Sequence, residues 1–173
     1  MRILPKILLI FLTTLYSCGV YNFTGGSIPK DVKTISIQNF YNETGQGPAN
    51  LSQIFTEKLK DQYLNRSNLS LVKDGGDWQL EGAITKYQTS SVSPKDNLTS
   101  ASNRLTISVK VIFTNALNEK NGTDDPPRSF EDTFTFFDDY PQNKTLSDVE
   151  NDKIEFILNQ IVFDIFQRTA SNW

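Results

Sequence analysis

The sequence contains no histidine and only one cysteine. Lack of histidine removes the commonest general base and metal ligand. It also excludes every Ser-His-Asp or Cys-His arrangement. A zinc site has too few of its usual ligands, so no metal and no cofactor is expected. One cysteine cannot form an intrachain disulfide, so the fold must rest on its apolar core. No apolar run reaches the roughly 20 residues a membrane-spanning helix needs. A surplus of positive charge is also missing: 17 basic side chains stand against 20 acidic ones. That balance argues against a nucleic-acid partner held by its phosphates.

What the chain has is a distinctive start. Arg2 and Lys6 precede a short apolar run, Ile7 to Leu15, followed by Leu15-Tyr16-Ser17-Cys18. The three-part layout is that of a secretory signal peptide, residues 1–17, removed on export. Its ending resembles a bacterial lipobox, with Leu three positions before the cysteine and a small residue just before it. In such signals the cysteine is acylated and becomes the mature N-terminus. Acylation of Cys18 would anchor the chain, since each buried methylene contributes about 0.8 kcal/mol. Removing residues 1–17 from a chain of 173 leaves 156, the size of one domain. Without Arg2 and Lys6 the net charge of −3 becomes −5. Residues 18–31 read as a lipidated linker with aromatics among glycines, and 32–173 as a single domain.

Twelve Phe, six Tyr and two Trp supply large core side chains. Val32 to Phe40 reads as a first strand. Pro48 suits a first helical position, and Leu51, Ile54, Phe55, Leu59 and Tyr63 follow at helical spacing. This predicts a helix over 48–65. Leu69 to Val72 is a short strand, and 73–77, with Gly75-Gly76, reads as a hairpin turn. Trp78, Leu80, Gly82 and Ile84 alternate with polar residues as in a half-buried strand. Tyr87 and Val92 are candidates to extend it, although the Ser- and Thr-rich stretch 89–103 reads as a long loop. Arg104 to Thr114 is the clearest strand, with Leu105, Ile107, Val109, Val111 and Phe113 on one face. Residues 115–128 form a connection, and Phe130, Phe134 and Phe136 alternate in a last strand. Ser147 and Glu150 have capping-box spacing. They open a long helix striped by Ile154, Ile157, Leu158, Ile161, Val162, Ile165 and Phe166. Consecutive strands are expected to pair antiparallel. The fold class is α+β, a two-layer sandwich with two helices packed on one face of a mostly antiparallel four- to five-stranded sheet. Its other face is polar and wet.

Three groups of residues bear on function. The pairs Asp74 with Asp77, Asp124 with Asp125 and Asp138 with Asp139 sit in or beside turns, which Asp favours for structural reasons. They lack calcium-loop spacing, and Gly75-Gly76 lacks the lysine of a phosphate loop. Phe156 and Phe163, seven apart, fall on one line nearly opposite the apolar stripe of the last helix. That line is either covered by the linker or the other helix, or is a docking surface for a partner. Arg104 and Lys110 share the polar side of one strand, with Lys95 and Arg128 in the flanking loops. This is a candidate anion site or a plain solvated face.

Cys18-Gly19-Val20-Tyr21-Asn22-Phe23-Thr24-Gly25 resembles the mature start of the lipopolysaccharide-assembly lipoprotein family (LptE), closest to its Bacteroidetes branch. Asn103-Arg104-Leu105-Thr106-Ile107, Phe137-Asp138-Asp139-Tyr140 and the closing Asn172-Trp173 are similar to that branch too. The resemblance implies two helices on a four-stranded sheet. It implies an outer-membrane lipoprotein, non-enzymatic and anchored in the periplasmic leaflet. Such a protein plugs and helps assemble a β-barrel translocon (LptD-like), binds lipopolysaccharide and assists its insertion into the outer leaflet. The family's lipopolysaccharide-contacting residues cannot be carried over by motif. Lys95, Arg104 and Lys110 are therefore lipopolysaccharide candidates, and Phe156 and Phe163 barrel candidates, on strand and helix geometry alone. The alternative is a free lipoprotein binding a soluble ligand or polysaccharide through loops 88–103 and 115–128. A hydrolase using the Asp pairs is the weakest reading.

Overall fold

A computed structural model of the chain describes residues 28–93 and 101–170. Cys18, most of the linker, Lys95 and Asn172-Trp173 lie outside them. The elements run β1 (Thr34–Ile37), β2 (Tyr41–Asn42), α1 (Leu51–Arg66), β3 (Ser70–Val72), β4 (Trp78–Val92), β5 (Ser102–Asn115), α2 (Ala116–Asn121), β6 (Phe130–Pro141) and α3 (Leu146–Ala170). They form an α+β fold in which an open mixed sheet, ordered β3-β1-β4-β5-β6 with β2 beside β4, is covered on one face by α1 and α3. The helix α2 within 115–128 is short and buries nothing, so no apolar stripe announces it.

The long pairings, β4 with β5 and β5 with β6, are antiparallel, as consecutive strands with short links should be. The short ones are parallel: β1 lies between β3 and β4 and runs with both. Residues 73–77 are therefore not a hairpin turn. They carry the chain from one side of β1 to the other, passing directly over Ser36. A parallel link normally takes a dozen residues or more. Five suffice here because Val72 pairs with Ser36 while Trp78 re-enters one residue back, at Ile35. Asp77 fastens the return. Its carboxylate accepts the Lys33 and Thr34 amides at 2.8 and 2.9 Å. Gly76 is required by the crossing. A Cβ there would stand 2.5 Å from the Ser36 nitrogen and 2.7 Å from both the Ile35 carbonyl carbon and the Trp78 oxygen.

Strand β4 is longer than its apolar pattern. Alternation holds through Ile84, shifts by a bulge between Ile84 and Lys86, and resumes with Tyr87 opposite Ile107. Ser90 and Val92 continue the ladder opposite Arg104 and Ser102. Within the stretch 89–103, residues 89–92 and 102–103 are thus strand, their Ser and Thr side chains tolerated where the paired strands overhang the core. Helix α1 begins at Leu51, and Pro48 only closes the preceding turn through its carbonyl. At the start of α3 the cap is Thr145 with Asp148, whose carboxylate accepts the Thr145 amide and hydroxyl at 2.9 and 2.7 Å. Ser147 and Glu150 are already inside the helix, and Glu150 instead accepts the Tyr87 hydroxyl at 2.6 Å.

The core is one layer. Leu105, Ile107, Val109, Val111 and Phe113 of β5 are fully buried beneath Ile154, Ile157, Leu158, Ile161, Val162, Ile165 and Phe166 of α3. Leu51, Phe55, Leu59 and Tyr63, four apart, make the facing side of α1. The two helices are joined by a buried hydrogen bond between the Tyr63 and Thr169 hydroxyls. Lys58 adds contacts to Asn159 and Glu155 at the surface. Gly76→Ala is expected to destabilise the domain by about 3 kcal/mol or more, because backbone rather than a flexible side chain must move. Urea unfolding measures it, and a loss under about 1 kcal/mol would mean that the crossing has slack.

Candidate functional site

The sheet's uncovered face and the outward side of α3 carry the sequence-derived candidates. On β5, Arg104 and Lys110 do share the uncovered face. Each has a carboxylate from the neighbouring strand β6. Arg104 binds Asp139, directly opposite it in register, through two hydrogen bonds of 2.7 and 3.0 Å. Its guanidinium also lies 3.6 Å above the Phe137 ring, which is 45% exposed. Lys110 pairs with Glu131 at 2.6 Å. The hydrogen bond from Arg104 holds the Asp139 carboxyl below its ordinary value, and the bond to Glu131 raises that of Lys110. Lys95 lies outside the described residues. Arg128 pairs with Asp124 at 2.7 Å and does not join the group.

Of the three Asp pairs, only Asp138 with Asp139 departs from the turn role expected of them. Asp138 and Asp139 lie within β6, so they point to opposite faces. Asp139 holds Arg104 on the uncovered face, while Asp138 reaches Lys153 of α3 at 2.8 Å on the covered one. Asp132, also on the covered side, reaches Arg168 of α3 at 3.3 Å. Asp74 accepts the Gln38 amide at 2.9 Å, and Asp125 takes the Asn118 amide on its backbone oxygen at 2.6 Å. Among the described residues no group of three or more acidic side chains is placed to hold a metal ion.

Phe156 and Phe163 stand on the outward line of α3, 46% and 48% exposed. Phe156 meets the edge of Phe136 on β6, with ring centroids 6.0 Å apart. Phe163 does not touch it. It forms one wall of a groove of about 710 Å³ between the ends of α1 and α3 and the segment leading into β1. Lys30, Lys33 and Arg66 line that groove too. Sequence reasoning missed it because its parts lie at residues 28–33, 62–69 and 163–167, and no local pattern links them.

No helix among the described residues is long and apolar enough to cross a membrane. Residues 32–169 match the family described as LptE, lipopolysaccharide-assembly. No curated protein matches the chain by sequence. Among solved structures, the fold is similar to a minor lipoprotein from Acinetobacter baumannii, with TM-score 0.49 and 15% identity over 79% of this chain and 91% of that one. It is similar to rare lipoprotein B from Shewanella oneidensis, with TM-score 0.49 and 15% identity over 78% and 92%. An uncharacterized lipoprotein B from Nitrosomonas europaea gives 0.47 and 11% over 83% and 84%.

The Arg104–Asp139 pair sets a pH dependence. The folded Asp139 carboxyl titrates below the ordinary 3.8. Its contribution is therefore present above that value and is lost as pH falls through the lower folded one. Both side chains are about a third exposed, which limits the contribution to about 1 kcal/mol. Asp139→Asn is expected to lower neutral-pH stability by that amount and to flatten the decline below pH ~4. Denaturant unfolding at several pH values checks this, and an unchanged acid slope would contradict it.

Proposed function

The chain belongs to the LptE lipopolysaccharide-assembly family, and from that membership we propose that it is a non-enzymatic subunit of the lipopolysaccharide translocon. In this reading Cys18 is acylated and holds the protein in the periplasmic leaflet of the outer membrane. The domain plugs and helps assemble an LptD-like β-barrel and assists lipopolysaccharide insertion into the outer leaflet.

The observation that carries the barrel contact is the outward line of α3. Two phenylalanines seven residues apart remain nearly half exposed on a helix whose opposite side fills the core. Aromatic side chains left in water on an otherwise amphipathic helix mark a protein-contact surface. For lipopolysaccharide, the proposed contacts are Arg104, Lys110 and Lys95. Arg104 and Lys110 lie in solvent-facing ion pairs, which water screens. A phosphate that takes the guanidinium bidentately can displace the carboxylate, and the exposed Phe137 ring beside it offers apolar contact.

Detergent extraction of the full-length protein from its native membranes, with mass spectrometry of what co-purifies, tests the reading. One large outer-membrane barrel near one-to-one is expected. Phe156→Glu and Phe163→Glu should each reduce its recovery about tenfold while lowering stability by under about 1 kcal/mol, as exposed positions allow. Recovery without a barrel, together with saturable binding of a soluble sugar, would favour the free ligand-binding lipoprotein. Unfolding by Phe163→Glu would make that residue core.

A further inference from the structure

The groove at the shared end of α1 and α3 is separate from the sheet-face cations and shares only Phe163 with the outward line of α3. Its floor is apolar: Val32, Leu69 and Phe166 are buried there, and Phe163 forms a wall. Its rim carries Lys30, Lys33 and Arg66, and no acidic residue among the described ones lines it. Asp31 lies between the two lysines in sequence but is not part of the lining. The Lys33 ammonium donates to the Lys30 carbonyl, which keeps the two lysines together. None of the three cations has a carboxylate partner among the described residues, whereas Arg104 and Lys110 each already hold one.

On a chain with net charge −3, three unpaired cations around an apolar floor fit a ligand that is anionic at one end and apolar at the other. The position of the groove favours one source. Ile28, where the described chain begins, is itself a lining residue. Nine residues separate it from Cys18, which gives a fully extended reach of about 35 Å. If Cys18 is acylated, the tether delivers the groove mouth to the leaflet that holds the acyl chains. At the resulting high local concentration even a weak headgroup contact is populated.

We propose that this groove is a membrane-apposed site for the phosphate headgroup of an anionic glycerophospholipid. Lys30, Lys33 and Arg66 take the phosphate, and Phe163 and Leu69 meet the first acyl carbons. The site orients the domain on its leaflet. The proposal rests on the lipid-anchored reading above, but its residues are not those proposed to touch the barrel, apart from Phe163. Basic side chains at an anionic membrane surface each change binding by about fivefold, and salt weakens the effect.

The test uses the full-length protein with its N-terminal modification, the acyl mass on Cys18 read from intact mass. It is reconstituted into nanodiscs of phosphatidylethanolamine with phosphatidylglycerol, and separately into phosphatidylcholine nanodiscs. Amide hydrogen exchange is followed over residues 28–33 and 65–69. Exchange is expected to slow about tenfold or more in the anionic discs only. It should return to the phosphatidylcholine rate in the triple variant Lys30→Gln, Lys33→Gln, Arg66→Gln, while a Lys60→Gln, Lys73→Gln control stays protected. Equal exchange in the two lipids, or protection that survives the triple variant, overturns the proposal. Protection in both lipids alike would mean that the groove is filled by the chain's own N-terminal segment, and also overturns it. Absence of acyl mass contradicts the anchor alone, and co-sedimentation of the protein with the same two lipids as vesicles then decides the headgroup site. Barrel recovery should be unchanged in the triple variant, which separates this site from the α3 contact.

Discussion

The burial of one face of β5 beneath α3 is the constraint on which the rest of this domain depends. No cysteine occurs after Cys18, so no cross-link assists the fold, and a single apolar layer must orient every element. Five side chains of β5, spaced two apart, meet seven of α3 at helical spacing. Both periodicities are satisfied over the full length of the contact, which sets how α3 lies on the sheet. Helix α1 then closes the remaining half through Phe55, Leu59 and Tyr63, with the Tyr63–Thr169 bond placing the two helices relative to each other. Burial holds the Tyr63 hydroxyl neutral far beyond the physiological range, so this link is insensitive to pH.

That arrangement uses only one side of each layer, and the surfaces with functional content are what it leaves over. Strand β6 shows how the division is kept. It is an edge strand, and its inward-facing Asp132 and Asp138 reach Arg168 and Lys153 of α3 on either side of Phe134 and Phe136. Inward charges of this kind discourage another strand from adding to the edge. They also clamp the helix over β6 and leave its Phe156–Phe163 line turned outward. Asp139, one residue on, faces the other way and binds Arg104. Two adjacent aspartates thus serve two faces of one sheet.

Much of this was legible in the sequence, and the parts that were not share a cause. The faces of β5 and α3 follow directly from spacing, as do the apolar half of β4 and the shared side of Arg104 and Lys110. The parallel β3-β1-β4 arrangement was hidden because Lys73-Asp74-Gly75-Gly76-Asp77 has hairpin chemistry. Only the close approach of Gly76 to Ser36 shows that the glycine serves a crossing. Residues 89–92 read as loop because Ser and Thr signal turns when no apolar partner is visible, yet the ladder continues beyond the core. Two acceptable caps, Ser147–Glu150 and Thr145–Asp148, lie two residues apart, and Tyr87 decides between them by drawing Glu150 into the helix side. The candidate cations were placed on the correct face without their partners, because Asp139 and Glu131 become neighbours only once the β5–β6 register is known. The groove has no sequence signature at all.

The central claim is that the outward line of α3 meets a membrane-embedded barrel. Photo-crosslinking in living cells tests it most directly, with a photoreactive residue placed at Phe156 in one strain and at Thr133, on the uncovered sheet face, in another. The account predicts a single high-mass outer-membrane adduct from position 156, with a much weaker one or none from position 133. Strong crosslinking from position 133 with none from position 156 would contradict it and move the partner surface to the sheet.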